Sequence, residues 1–233
     1  MPQDIQAHPE EQRGTLAYSS SERKSTLKTL TAGSSGEAVA GGAAVILAIL
    51  GLVGVLPVYM VAIATICAGG AMFLEGSAVA SKFKDLEEQL IETKKTEVAI
   101  GGGMAFEVLG GIAGVVLGIL ALVGVASGVL VSVAAIAMGG ALLLGAGATE
   151  RLDKVQTYWR GASHHRSKWL HDTVLGAAGL QVLAGLAAVT LGILALSGVV
   201  PLILDLVAML AIGGAVLLAG AAMAGEMGAA LRS

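Results

Sequence analysis

A single cysteine, Cys67, in 233 residues rules out a disulfide within the chain and any cysteine-based metal site. It lies among Ala and Gly in an apolar run and reads as a small packed residue. Aromatic residues make up only 3% of the chain and charged residues 13%, against 55% hydrophobic. No nucleic-acid partner is expected from so little charge, and no soluble domain of ordinary composition. Familiar catalytic signatures are missing too. There is no P-loop, no GxSxG, no HExxH and no metal-ligand pair inside the apolar runs. We therefore expect no enzyme, no cofactor and no metal. The charged start is not followed by an apolar h-region, so no signal peptide is expected.

What is present is a stretch written three times. Glu107–Ser127 reads EVLGGIAGVVLGILALVGVAS, and it aligns without a gap on Glu37–Pro57 and Gln181–Pro201. Gly41, Gly111 and Gly185 coincide, as do Gly54, Gly124 and Gly198. Each copy is followed at identical spacing by a second apolar stretch with a glycine pair: Gly69-Gly70, Gly139-Gly140 and Gly213-Gly214. The unit is two segments long and is repeated three times.

The segments are long enough to cross a hydrocarbon core of about 30 Å as helices. The spacing predicts spans near 37–56, 58–81, 97–125, 128–149, 174–199 and 201–226. The expected fold is an all-α polytopic membrane protein, with six transmembrane helices as three tandem hairpins around a pseudo-threefold axis. Transmembrane strands would need apolar/polar alternation, which these runs lack. We divide the chain into a disordered polar cytoplasmic tail (1–35), hairpin 1 with an amphipathic cytoplasmic extension (36–96), hairpin 2 with a basic cytoplasmic loop (97–172) and hairpin 3 (173–233).

Lys and Arg are confined to the tail, the loops after spans 2 and 4, and the C-terminus; the turns inside the hairpins have none. With six spans all the basic segments share one side. The positive-inside rule places both termini in the cytoplasm. Trp159, Arg160, Arg166 and Trp169 read as interfacial anchors of the basic loop. His164, His165 and His171 nearby suit a solvated loop; titration near neutral pH is the other reading.

Gly110, Gly114 and Gly118 stand four apart, which makes a smooth glycine-zipper face for close helix approach. Gly139, Gly140, Gly213 and Gly214 are assigned to helix packing with them. Pro57 and Pro201 fit the first turn of spans 2 and 6, and Ser127 is expected to cap span 4.

Ionisable groups inside a membrane are functional candidates by default. Glu37, Glu107 and Gln181 are equivalent by repeat, and Glu75 returns to their level on span 2. They are expected to form one polar cluster at the cytoplasmic end. It would either sense or relay protons, or be a set of interfacial groups hydrated, capped or hydrogen-bonded between helices. Glu37 also has capping-box spacing to Ser34. Asp205, one turn into span 6, is read as a structural acid near a helix N-terminus. A rotor-ring subunit is disfavoured, because span 4 has no acid between Ser127 and Ala148.

The pattern LGILAL-x-GVVP at Leu191–Pro201, with the glycine-rich endings at Gly69–Ala80, Gly139–Gly145 and Gly213–Gly220, resembles the short-repeat membrane proteins of the HdeD type. The resemblance covers residues 37–226. It implies three inner-membrane hairpins and a non-enzymatic structural or stress role, since the namesake is linked to acid resistance. It supplies no catalytic residues. Low aromatic content, the long polar tail and the long basic loop depart from the family pattern. Expected partners are the lipid bilayer and other membrane proteins or further copies of the chain, as in an accessory subunit of a larger complex. The alternative reading is a small channel or proton-linked carrier built on the carboxylate cluster.

Overall fold

In the computed structural model, residues 35–87, 94–159 and 167–230 are described, and side-chain surroundings within 35–77, 105–146 and 179–222. The tail before residue 35, including Ser34, lies outside them, as do Arg160, His164, His165 and Arg166. The side chains of Trp159, Trp169 and His171 are likewise outside.

The described residues form six helices: α1 (Ser35–Leu52), α2 (Pro57–Glu87), α3 (Lys94–Leu122), α4 (Ser127–Trp159), α5 (Ser167–Leu196) and α6 (Pro201–Ala230). All six contain a span long and apolar enough to cross a membrane, and no strand occurs among the described residues. The chain is a multi-pass all-α membrane protein. Its exposed surface agrees: Val39, Ile46, Leu109, Val116, Leu183, Ile193 and Leu218 are among many large aliphatic side chains turned outward. In water such a surface would aggregate; in lipid it is solvated.

Three hairpins follow from three near-identical turns. Gly54, Gly124 and Gly198 have φ of +97°, +93° and +87°. Each ends its helix in a Schellman motif: Val55 N–H donates to Leu50 O and Gly54 N–H to Gly51 O, both at 3.0 Å, with the same pairs at Val125/Leu120, Gly124/Ala121, Val199/Leu194 and Gly198/Ala195. Two residues later Leu56, Ala126 and Val200 also have positive φ, near +40°. Their carbonyls accept the first bonds of the following helices, from Met60, Leu130 and Leu204. Ser127 therefore does not cap α4. It is the first helical residue, where Pro57 and Pro201 stand in the other repeats.

Beyond its chain neighbours and own helix backbone, nothing lies within 4 Å of a β-carbon added at Gly124 or at Gly128, but only Gly124 has positive φ. Gly124→Ala is expected to lower stability by about 1 kcal/mol, the left-handed penalty of an L-residue. Gly128→Ala, in a helix, should raise it by up to ~0.8 kcal/mol, since Ala is the better helix former. Unfolding in mixed detergent micelles would read both; equal effects would contradict this account of the turn.

The hairpins close into a ring. α2, α4 and α6 touch one another in pairs, α3 fits between α2 and α4, and α5 between α4 and α6. α1 completes the circle, lying against α6 at Gly41, against both α6 (Leu206) and α2 (Met60) at Gly51, and against α2 at Gly36. The inner helices are more enclosed: 44, 56 and 50% of the spans of α2, α4 and α6 are buried, against 28, 33 and 28% for α1, α3 and α5.

The interfaces between hairpins are made by reciprocal glycine pairs. A β-carbon at Gly69 would come 2.7 Å from Gly111 O, and one at Gly111 the same distance from Gly69 O. Gly139 and Gly185 repeat this at 2.8 and 2.7 Å, Gly213 and Gly41 at 3.1 and 3.0 Å. The second glycines, Gly70, Gly140 and Gly214, meet nothing within 4 Å. Gly140 and Gly214 thus make no such contact, while Gly41, Gly111 and Gly185 do. On α3, Gly110 faces Ala141 and Gly114 faces Met138, both of α4, whereas Gly118 faces Ile66 of α2. The smooth glycine face is divided between two neighbours.

The inner helices run in the same direction and bury positions four and three apart, as parallel coiled-coil seams do. Val61, Thr65, Ala68 and Met72 of α2 correspond to Val131, Ala135, Met138 and Leu142 of α4, and to Asp205, Met209, Ile212 and Val216 of α6; all are buried. The next positions in that series are Glu75, Gly145 and Ala219.

Candidate functional site

Glu75 continues the buried face of α2, about 27 Å along the helix from Pro57 at ~1.5 Å per residue. Repeat symmetry brings Glu37, Glu107 and Gln181 to the same level from α1, α3 and α5. All four side chains are enclosed: Glu37 is 0% exposed, Glu107 3%, and Glu75 and Gln181 4% each. Gln181 Nε2 donates a hydrogen bond to Glu75 Oε1, joining the third hairpin to the first. The Glu37 carboxyl lies within electrostatic reach of both Glu75 and Glu107, and Glu107 within reach of Glu75.

Room for the layer comes from glycine. A β-carbon at Gly145 would collide with the Glu107 carboxyl, and one at Gly76 would stand 3.3 Å from Glu107 Cβ. The acid of α3 is seated between a glycine of α2 and a glycine of α4. In α4 the position equivalent to Glu75 is empty of side chain because the Glu107 head group occupies it.

The layer is not fully paired. Both oxygens of Glu37, Oε2 of Glu75 and Oε1 of Glu107 are buried without a hydrogen-bond partner. The capping role open to Glu37 is thus not used. No Lys, Arg or His occurs among the residues whose side-chain surroundings are described, although four carboxyls do. Buried carboxylates without donors or cations are expensive, and the least costly neutraliser is a proton on the carboxyl itself. Among the described residues no group of three His, Cys, Asp or Glu side chains is placed to hold a metal ion.

A second polar site stands toward the turn end of the core. Asp205 is 1% exposed and Ser132 likewise. Ser132 Oγ lies 2.9 and 3.0 Å from the two Asp205 carboxyl oxygens and 2.9 Å from Gly128 O. Asp205 is therefore held by a side chain of the neighbouring hairpin, beyond any effect of its own helix end. Thr65, the deeper buried hydroxyl, donates to Val61 O of its own helix at 2.7 Å. Cys67 is a half-buried free thiol.

No family model matches this chain, and comparison with curated proteins and with solved structures found no similar protein. The site is accordingly understood from its own geometry.

Three of its features were not read from the sequence. Gly76 and Gly145 as the seat of Glu107 were marked only by Gly145 standing where repeat 1 has Glu75. Ser132 was marked only by being a lone hydroxyl in an aliphatic run. The recurrence of Gly41, Gly111 and Gly185 in all three copies is plain in the sequence, but their role at the hairpin interfaces was not assigned from it.

Proposed function

We propose that this chain is a non-enzymatic inner-membrane protein, both termini cytoplasmic, whose packing responds to protons taken up by the Glu37/Glu75/Glu107 layer. The observation that carries the reading is four buried carboxyl oxygens without a hydrogen-bond partner, in spans that contribute no cationic side chain. With protons bound, the layer is neutral and the three hairpins pack around it. With protons lost, like charges face one another in a dry interior and push the cytoplasmic ends apart. The resemblance to HdeD-type hairpin proteins, with their link to acid resistance, points the same way. The restriction of Lys and Arg to one side supports the orientation.

A proton-linked carrier built on the same layer would need a route to the opposite side. Met72, Met138, Leu142, Met209, Ile212 and Val216 are fully enclosed between the two polar levels. Packing of that kind favours a responder over a conductor.

The test is proton counting in lipid nanodiscs, paired with proton flux in sealed proteoliposomes. Wild-type protein should take up protons on acidification and conduct none. The triple variant Glu37→Gln, Glu75→Gln, Glu107→Gln should lose the uptake contributed by the layer. Uptake unchanged by the triple substitution would sink the proposal, and Glu-dependent flux would replace it with the carrier.

A further inference from the structure

The hydrogen-bond geometry at the other end of the core carries an inference independent of the glutamate layer. We propose that Asp205 and Ser132 form a second proton-binding site, which exchanges with the side of the membrane on which the hairpin turns lie.

The basis is a count of hydrogens. A serine hydroxyl has one proton to donate. Ser132 Oγ stands at hydrogen-bond distance from Gly128 O and from both oxygens of Asp205. Gly128 O also has the backbone N–H one turn on in its own helix, but the two Asp205 oxygens share this single proton, which leaves a buried carboxylate short of donors. A proton on Asp205 completes the set: the carboxyl O–H donates to Ser132 Oγ, and the Ser132 O–H donates to Gly128 O. When that proton leaves, the Ser132 O–H swings from Gly128 O to the carboxylate. Both states use the same three heavy atoms without moving them.

The surroundings offer no other neutraliser. α6 is packed against α1, α2, α4 and α5. Among their described side chains the titratable groups are Glu37, Glu75, Tyr59 and Cys67. Tyr59 is 54% exposed. Glu75 and Glu37 belong to the other layer: Ala219, level with Glu75, is about 21 Å along α6 from Asp205 at ~1.5 Å per residue. A small cation fits poorly, since the Ser132–Asp205 distances of 2.9 and 3.0 Å are those of direct hydrogen bonds and leave no space between the oxygens.

Access is one-sided for the same reason that conduction is disfavoured. The enclosed Met and aliphatic side chains separate Asp205 from the glutamates, while Pro201 and the turn before it lie only one helical turn away. The protein then has a proton site near each surface, with a dry core between them.

Infrared difference spectroscopy of the full chain in sealed proteoliposomes tests this directly, because a carboxyl shows its C=O stretch only when protonated. A pH step on the turn side should change one carboxyl band. Asp205→Asn should abolish that band and lower total proton uptake by one per chain. Ser132→Ala should keep the band but move it, since the acid loses its acceptor, and Ser132→Thr should restore its position. A titration displaced by sodium at constant pH would make the site a cation site and overturn the proposal. So would a band that survives Asp205→Asn, or one unaffected by Ser132→Ala. The glutamate bands should respond to a step on the opposite side, so failure at either site is seen separately.

Discussion

Gly69→Ala should strongly destabilise the bundle, while Gly70→Ala, one residue on, should leave it intact or slightly improve it. A methyl at Gly69 would sit 2.7 Å from Gly111 O and from Val115 N, both backbone atoms of α3. Neither can rotate away, so the helices must separate. Overpacking of this kind costs about 1–3 kcal/mol. In a membrane the loss is felt in full, because close packing, not expulsion of water, holds the helices together. At Gly70 nothing lies within 4 Å, and Ala is the better helix former by ~0.8–1.0 kcal/mol. The same contrast should recur at Gly139 against Gly140. At Gly213 against Gly214 it should be weaker, because the added methyl would first meet Ala44 Cβ at 3.0 Å. Unfolding by denaturing detergent in mixed micelles gives the differences. Equal effects within each pair would show that the interface is looser than the geometry requires.

The glycine pairs show what periodicity conveys and where it stops. Three copies at identical spacing dictate three equivalent hairpins, and equal spans dictate that they run in the same sense. The level of a residue follows as well, because each residue rises ~1.5 Å; that is why Glu37, Glu75, Glu107 and Gln181 could be assigned to one layer. Direction around the helix does not follow so easily. Adjacent glycines point about 100° apart, so which one meets a neighbour depends on where that neighbour stands. In a run apolar on every side, no amphipathic stripe marks the inward face. Depth of burial was hidden for the same reason. A carboxyl near the end of a span can be hydrated or enclosed, and the difference lies in Gly76 and Gly145 making a seat for Glu107. The Asp205–Ser132 pair broke the repeat symmetry itself. Asp205 corresponds to Val61 and Val131, and Ser132 to Ala62 and Leu206. No comparison of copies could bring the two together.

Glu37→Gln should be nearly silent in acid and stabilising at higher pH. Glutamine has the shape of a protonated glutamate and carries no charge, so in acid the two proteins pack alike. As pH rises the wild-type layer loses protons, and Glu37, with neither oxygen hydrogen-bonded, then faces Glu75 and Glu107 as a bare carboxylate. The variant escapes that repulsion. Its advantage should grow to about 2 kcal/mol, the usual cost of a buried polar group left without a partner and a lower bound for a charged one. Gln181→Ala should act in the opposite sense. It removes the donor to Glu75 Oε1, leaving a further buried acceptor unpaired at a cost of ~1–3 kcal/mol. That cost should be largest where Glu75 is ionised, because the amide serves a carboxylate better than an acid. The two variants thus diverge with pH, one becoming relatively more stable and the other less. A pair of detergent-unfolding curves, one acid and one alkaline, decides the matter. Parallel shifts at both pH values would mean that the layer holds the same number of protons throughout, and that its glutamates serve packing alone.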